Sequence, residues 1–384
     1  MNSKILIPWY KFPPFSASKI SGISISVWEL ATKMAQHGFD VDVLVGESAE
    51  NEQRKEFGSN LRIVDVDLGR KLLREDSLAK DDLHLLEEYD YVLSIHNYGA
   101  RALAPFKQRI RLIRQIHAVF RIIPFTEMVY LNYSLVDLAK AFFLKRRQTT
   151  KESLLRGIPS ICISQHLREK MIEQKLETEE HLYKIPLGID SAAFRPSNVE
   201  KQYDCIFAGG FHKIKGIDLL FDALAYLFLK NGKTLRVAIA GNFCPKERNY
   251  LLGKIPKTVR GNVTFLGVVP HEEMPEIINS SKIAIVPSRY ESFSIFSLES
   301  LACGIPVVAS NVAALPEIID SRSGMLFEPL SIQSLARSIE TVLNDPLRQD
   351  GAFQNSEVIA RRFDWKVIIQ KFKLLFETLA LTSR

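Results

Sequence analysis

A chain of 384 residues that is 46% apolar and 24% charged can bury a large core and divide into about two domains, which excludes a disordered protein. Its formal net charge is +6, but no nucleic-acid recognition motif accompanies the basic residues, so nucleic acid is set aside as a partner. Four cysteines, at 162, 205, 244 and 303, are too widely spaced for a zinc motif and too few for a disulfide framework, and they point to a reducing compartment.

The N-terminal residues 1–10 hold only a short apolar run before Lys11, below the length of a signal-peptide core. No later stretch reaches the roughly 18 apolar residues that span a bilayer. The expectation is a cytoplasmic protein, or one resting on the inner face of a membrane.

In chain order, apolar strands alternate with amphipathic helices, the pattern of a parallel α/β sheet. Residues 5–8 read as a strand and Ser21-Gly22 as a loop. A helix is expected over 26–37, then strands over 41–45, 91–95 and 112–116. His96-Asn97 and His117 close the last two of these strands. Residues 101–156 carry twelve basic and three acidic residues, with apolar side chains between them, notably 120–125 and 135–144. Such a stretch suits an anionic membrane surface or a phosphate-bearing, lipid-linked molecule, or else it is a solvated face.

The alternation starts afresh near residues 183–190, with a linker at about 187–200. Strands are expected over 204–208, 236–240, 263–266 and 283–286. The first is followed by Gly209-Gly-Phe-His-Lys-Ile-Lys-Gly216 and a helix over 217–230. The run 282–287, short, β-branched and closed by Pro287, suits a buried parallel strand. A turn around Phe293 then leads into a helix over 297–303, with Leu298, Leu301 and Ala302 at helical spacing. The N–H groups that open such a helix lack intrahelical partners and carry partial positive charge, so a diphosphate fits there. Glu291 precedes the turn, and Glu299 lies about two helical turns further on.

Residues 287–310, P-S-R-Y-E-S-F-S-I-F-S-L-E-S-L-A-C-G-I-P-V-V-A-S, place Glu291 and Glu299 eight positions apart. They resemble the Glu, seven residues, Glu signature of retaining glycosyltransferases of family four, also described as glycosyl transferases group 1. Ile185, Pro186, Gly188, Ile189, Asp190, Phe194 and Pro196 resemble the interdomain segment of that family, with Leu187 in place of its usual asparagine. The resemblance covers nearly the whole chain and is strongest over residues 183–330.

This resemblance implies the GT-B fold, an α/β architecture of two Rossmann-like domains facing each other across a cleft. Residues 1–187 would form the acceptor-side domain, with the helix over 364–381 packing back on it, and residues 188–363 the domain that binds the nucleotide sugar. It also implies transfer of a hexose from a nucleotide diphosphate sugar, foremost a UDP-sugar such as UDP-glucose. The acceptor would be a glycan or lipid-linked, in exopolysaccharide or cell-envelope polysaccharide synthesis. The donor is a co-substrate, and the resemblance calls for neither cofactor nor metal; no histidine cluster stands in the loops. A nucleotide-sugar epimerase on the same fold, or a non-catalytic partner subunit that binds sugar nucleotides, remains open at this point.

Residue by residue, Glu291 matches the carboxylate that accepts sugar hydroxyls and Glu299 the one that takes the ribose diol. Lys215 stands at the lysine of the donor-phosphate loop, where an ammonium neutralises the leaving diphosphate. Gly210 occupies the place of the family's usual arginine, a cation that His212 or Lys213 would replace. His117 matches a cleft histidine beside the donor sugar, and Gly22 a loop glycine that lets the backbone approach the donor phosphates or the acceptor. Val268 belongs to a stretch whose main chain holds the base. Ser292, Phe293, Ser294, Ile295 and Phe296 form the turn and helix start that receive the diphosphate. Ala313-Ala314 replaces a glycine pair of the family.

Overall fold

The computed structural model describes residues 3–9, 22–45, 55–56, 60–64, 78, 82–95, 100–117 and 153–382. They form two compact units, Met1–Gly188 with Trp365–Arg384, and Ile189–Asp364.

The first unit is built on an eight-stranded sheet: β1 (Lys4–Trp9), β2 (Asp40–Val45), β3 (Lys55–Glu56), β4 (Leu61–Val64), β5 (Tyr91–Ile95), β6 (Leu112–Ile116), β7 (Ser160–Cys162) and β8 (Leu182–Lys184). Their spatial order is β3-β4-β2-β1-β5-β6-β7-β8, and every pair except β3–β4 is parallel. Alternate side chains of a strand point to opposite faces, so continuous apolar runs mark a sheet covered on both sides. Ile5, Ile7, Val41, Val43, Tyr91 and Leu93 enter one buried cluster, whereas Leu6, Leu44, Val92 and Leu112 enter another.

Helices α1 (Gly22–Gln36), α2 (His84–Glu87), α3 (Ala100–Leu103) and α4 (Gln165–Glu173) belong to this unit. Helix α1 begins at Gly22, a turn earlier than the apolar spacing implies, so the expected loop glycine is the first helical residue. The short strands β3, β4, β7 and β8 escape sequence reading because two to four residues carry too little periodicity.

Residues 118–152, which hold six of the twelve basic residues and both apolar runs 120–125 and 135–144, lie outside the described residues, so the expected membrane-facing surface lies largely outside them too. One of its cations is not on a surface at all. Arg114 is 1% exposed, with Nη2 donating to Glu177 Oε2 at 3.4 Å and Nε to Ser160 Oγ at 2.9 Å. Glu177 Oε2 also accepts from the Gly157 amide, and its Oε1 from the Thr178 amide. Among the described residues no helix is long and apolar enough to cross a membrane.

The second unit carries a six-stranded, wholly parallel sheet: β9 (Tyr203–Ala208), β10 (Val237–Ala240), β11 (Val263–Gly267), β12 (Ser281–Val286), β13 (Val307–Ser310) and β14 (Gly324–Phe327). The spatial order is β11-β10-β9-β12-β13-β14. The chain thus winds outward from β9 in one direction and then returns to continue from β12 in the other. Such a reversal leaves a crevice outside the carboxyl ends of the two central strands, where ligands bind in open α/β sheets.

Seven helices complete the chain: α5 (Ile217–Asn231), α6 (Pro245–Gly253), α7 (Met274–Asn279), α8 (Ile295–Ala302), α9 (Ile332–Leu343), α10 (Pro346–Phe363) and α11 (Trp365–Thr382). In α5, Ile217, Leu220, Phe221, Leu224 and Leu227 are buried at helical spacing, and Gly232 ends the helix with its N–H on Phe228 O.

Helix α11 belongs to the first unit and buries Trp365, Ile368, Ile369, Phe372, Phe376 and Leu379. Phe376 stacks on Tyr91 with ring centroids 4.5 Å apart, and Tyr91 Oη donates to the Phe376 carbonyl. The Trp365 ring packs against Gly188, where an added Cβ would stand 2.4 Å from the indole. That close approach explains why a glycine closes the Ile185-Pro-Leu-Gly188 segment.

All four cysteines are free thiols; Cys162, Cys205 and Cys303 are buried and Cys244 is exposed. Burial pushes the Cys162 and Cys303 thiols up to about 12, and raises Cys205 as well. The thiolate is the nucleophile. Iodoacetamide should therefore alkylate one thiol per native chain, at Cys244, and all four after unfolding, as read by intact mass. Two or more thiols reacting at equal rates in the native protein would refute this packing.

Candidate functional site

The loops that leave β9 and β12 meet at the reversal point of the second sheet. The β9 loop passes through Gly209 and Gly210 to a turn, Lys213–Lys215, and enters α5 through Gly216. Gly216 has φ +67°, and a Cβ there would fall 1.8 Å from the Pro287 carbonyl oxygen. Only glycine permits this contact, and it brings the lysine before it to the loop that follows β12. Arg289 fastens the same junction. Its guanidinium grips Asp218 with two bonds of 2.7 Å, a bidentate pair, and donates to the Lys213 carbonyl at 2.6 Å. Its backbone N–H donates to Ile214 O at 2.8 Å. Burial alone would raise the Asp218 carboxyl, but the Arg289 hydrogen bonds and charge outweigh it and hold it below its ordinary range.

Lys215 Nζ donates to Glu291 Oε2 at 2.7 Å, and Ser288 Oγ adds a bond of 3.3 Å to the same oxygen. Glu291 is 8% exposed. Its other oxygen, Oε1, takes no hydrogen bond among the described residues. The Glu291 carbonyl accepts from the Ala314 amide at 3.1 Å. Ala313, beside it, has φ +46°, a left-handed backbone that a glycine would take without strain, whereas Ala314 is right-handed at φ -87°.

Helix α8 opens two residues before the expected start because Ser294 caps it: its Oγ accepts from the Ser297 amide at 3.3 Å and from Ser297 Oγ at 2.8 Å. The amides of Ile295 and Phe296 remain at the helix end, next to the turn of Ser292 and Phe293. One and a half turns in, Glu299 is 5% exposed, and its Oε1 meets His271 Nε2 at 2.6 Å. Its Oε2 takes no hydrogen bond among the described residues.

The structure thus gathers Lys215, Glu291, Glu299 and residues 292–296 in one unit, around two adjacent strand ends. His212 and Lys213 are exposed in the β9 loop, and the His212 ring lies 3.3 Å from where a Gly210 Cβ would be, in the space an arginine there would enter. Val268 follows the last residue of β11 and is exposed. His117 is buried at the carboxyl end of β6, and Gly22 opens α1; both belong to the first unit.

Sequence reading missed Ser288, Arg289, Asp218 and His271. A serine three residues before Glu291, within the same short loop, is a usable local signal. The partners of Arg289 and His271 are 71 and 28 residues away, and no local pattern announces them. Among the described residues no group of three or more histidine, cysteine or acidic side chains is placed to hold a metal ion.

Comparison with known proteins matches residues 190–357 to the family model described as glycosyl transferases group 1, and residues 20–193 to that described as glycosyltransferase family 4. An O-antigen chain mannosyltransferase B of Escherichia coli is 32% identical over 122 residues, 31% of this chain and 32% of that protein. The chain therefore spans about a third of that relative's length. An uncharacterized glycosyltransferase of Methanocaldococcus jannaschii is 26% identical over 368 residues, 89% of each protein. Among solved structures, a sucrose-phosphate synthase from Thermosynechococcus elongatus superposes with TM-score 0.79 at 20% identity, covering all of both chains. The Anabaena protein HepE, in complex with UDP and glucose, gives 0.70 at 18% identity over 99% of this chain and 100% of that one. These likenesses establish the fold.

Proposed function

The chain belongs to the GT-B glycosyltransferases of group 1 and family 4, and on that premise we propose that it moves a hexose from a UDP-sugar, such as UDP-glucose, to a glycan or lipid-linked acceptor. Retention of configuration and a place in exopolysaccharide or cell-envelope polysaccharide assembly are part of the proposal. The O-antigen relative supports the second of these, and the UDP and glucose held by HepE support the donor. A lipid-linked acceptor would bring the chain to a membrane surface.

One observation carries the reading. Two buried glutamates stand at the reversal point of a parallel sheet, each held by one oxygen and open at the other, on either side of a helix start. A carboxylate accepts hydrogen bonds and cannot donate them. The open oxygen of Glu299 suits the vicinal hydroxyls of a ribose, and that of Glu291 the hydroxyls of the transferred sugar.

The diphosphate between them falls to the amides of Ile295 and Phe296 and to Lys215. An ammonium has three N–H groups. Lys215 can therefore keep its bond to Glu291 while a second N–H turns to the phosphate, so the pair positions sugar and leaving group together. As the glycosidic bond breaks, negative charge gathers on the diphosphate, where these preorganised donors lower the barrier. Retention would follow from attack on the same face, with the leaving phosphate taking the acceptor proton. His212 or Lys213 would take the place of the arginine that the family carries at the position of Gly210.

Thermal shift with UDP-, GDP- and ADP-sugars tests the donor. A ligand bound only by the native state at 100 times its Kd adds about 2.7 kcal/mol of apparent stability, so the UDP-sugar should raise the melting temperature by several degrees. Equal, negligible shifts with all three would sink the reading.

A further inference from the structure

His271 touches the site but has no part in the chemistry above. It lies in the turn before α7, and its Nε2 stands 2.6 Å from Glu299 Oε1. Because an ionised carboxylate only accepts, the ring donates from Nε2. The ring packs against Phe194, with centroids 5.1 Å apart and planes tilted by 43°. Helix α7 in turn packs on α8, the helix that carries Glu299. The His271 side chain is 27% exposed and that of Glu299 6%. The histidine thus stands at the solvent side of a carboxylate that is itself nearly enclosed.

A free glutamate presents two equivalent oxygens and several rotamers, and ordering them on binding costs affinity. With Oε1 held, Glu299 keeps one acceptor oxygen, Oε2, in one orientation before any ligand arrives. Lys215 and Ser288 treat Glu291 in the same way, both binding its Oε2 and leaving Oε1.

We infer that His271 is a positioning residue for the nucleoside: by holding Glu299 Oε1 it aims Oε2 at the ribose hydroxyls and sets the preference for a ribonucleotide over its deoxy analogue. This deepens the reading that Glu299 takes the ribose and rests on it. A structural role in seating α7 alone would weaken all nucleotides alike. A positioning role weakens a nucleotide with both ribose hydroxyls more than its 2′-deoxy analogue.

The test is calorimetric titration of UDP and 2′-deoxy-UDP into the wild-type chain and into His271→Phe, His271→Gln and Glu299→Gln. The wild type should prefer UDP by about tenfold or more, the scale of a hydrogen bond to a charged group. His271→Phe should lose most of that preference, through a larger loss of UDP binding than of the deoxy analogue, which keeps only the 3′-hydroxyl. His271→Gln, which retains an N–H donor at similar reach, should keep much of it. If His271→Phe does not fold, His271→Asn, whose amide is too short to reach Glu299, carries the same expectation. Full preference retained in His271→Phe or His271→Asn overturns the inference alone. Unchanged UDP binding by Glu299→Gln overturns the ribose reading, and the inference with it.

Discussion

Lys215→Ala should slow sugar transfer by about 100-fold or more, the scale of removing one preorganised group that stabilises developing charge. The same side chain also holds Glu291, at 2.7 Å. Its loss therefore removes a cation from the leaving diphosphate and frees the carboxylate that orients the sugar. Glu291→Ala should cost a similar factor, mainly in turnover, because it faces the transferred sugar. Residues that act as one unit are not additive. The double variant should accordingly be little slower than either single one, with donor consumption in steady state as the readout. Multiplication of the two losses would show that the ion pair is incidental. Near-normal turnover in Lys215→Ala would assign the phosphate to His212, Lys213 or the helix end.

The second large effect is on stability, in the first unit. Glu177→Ala takes one carboxylate partner from the buried Arg114 guanidinium, and removing a partner from a buried ion pair costs up to about 3–5 kcal/mol. The Gly157 and Thr178 amides lose their acceptor at the same time. Hydrogen exchange should therefore accelerate over β6, β7 and β8 while the sheet of the second unit keeps its protection. Exchange that is unchanged in β6 would mean that the pair contributes nothing net. Replacing Arg114 and Glu177 together by apolar residues of similar size should recover most of the loss, since neither charge is then stranded.

The parallel sheets are legible in the sequence because strands covered on both faces read as apolar runs, unbroken in residues 5–8 and 283–286 and interrupted only by Asp42 in residues 41–45. Strands β13 and β14 are less so: one is folded into the motif around Pro306, and the other is a four-residue edge opened by glycine. The donor half of the site is legible for a similar reason. Glu291, residues 292–296 and Glu299 lie within nine residues of one another, so a loop and a helix start bring them together without any long-range contact.

What long-range pairing decides is hidden. Arg114, counted among surface cations, is enclosed by a glutamate 63 residues away. Arginine is seldom buried unless paired, and a single sequence does not show the partner. Ala313 illustrates a third limit. Its replacement of a glycine is visible in the sequence, whereas the left-handed backbone at φ +46°, held at some steric cost, is not.

The central claim, that the two half-satisfied glutamates and the start of α8 form a nucleotide-sugar site, is tested most directly by a crystal structure of the chain with UDP. The account predicts the ribose hydroxyls on Glu299 Oε2 and the diphosphate on the amides of Ile295 and Phe296 with Lys215 Nζ beside it. UDP bound away from α8, or with its phosphates on other cations and Glu299 untouched, would contradict it.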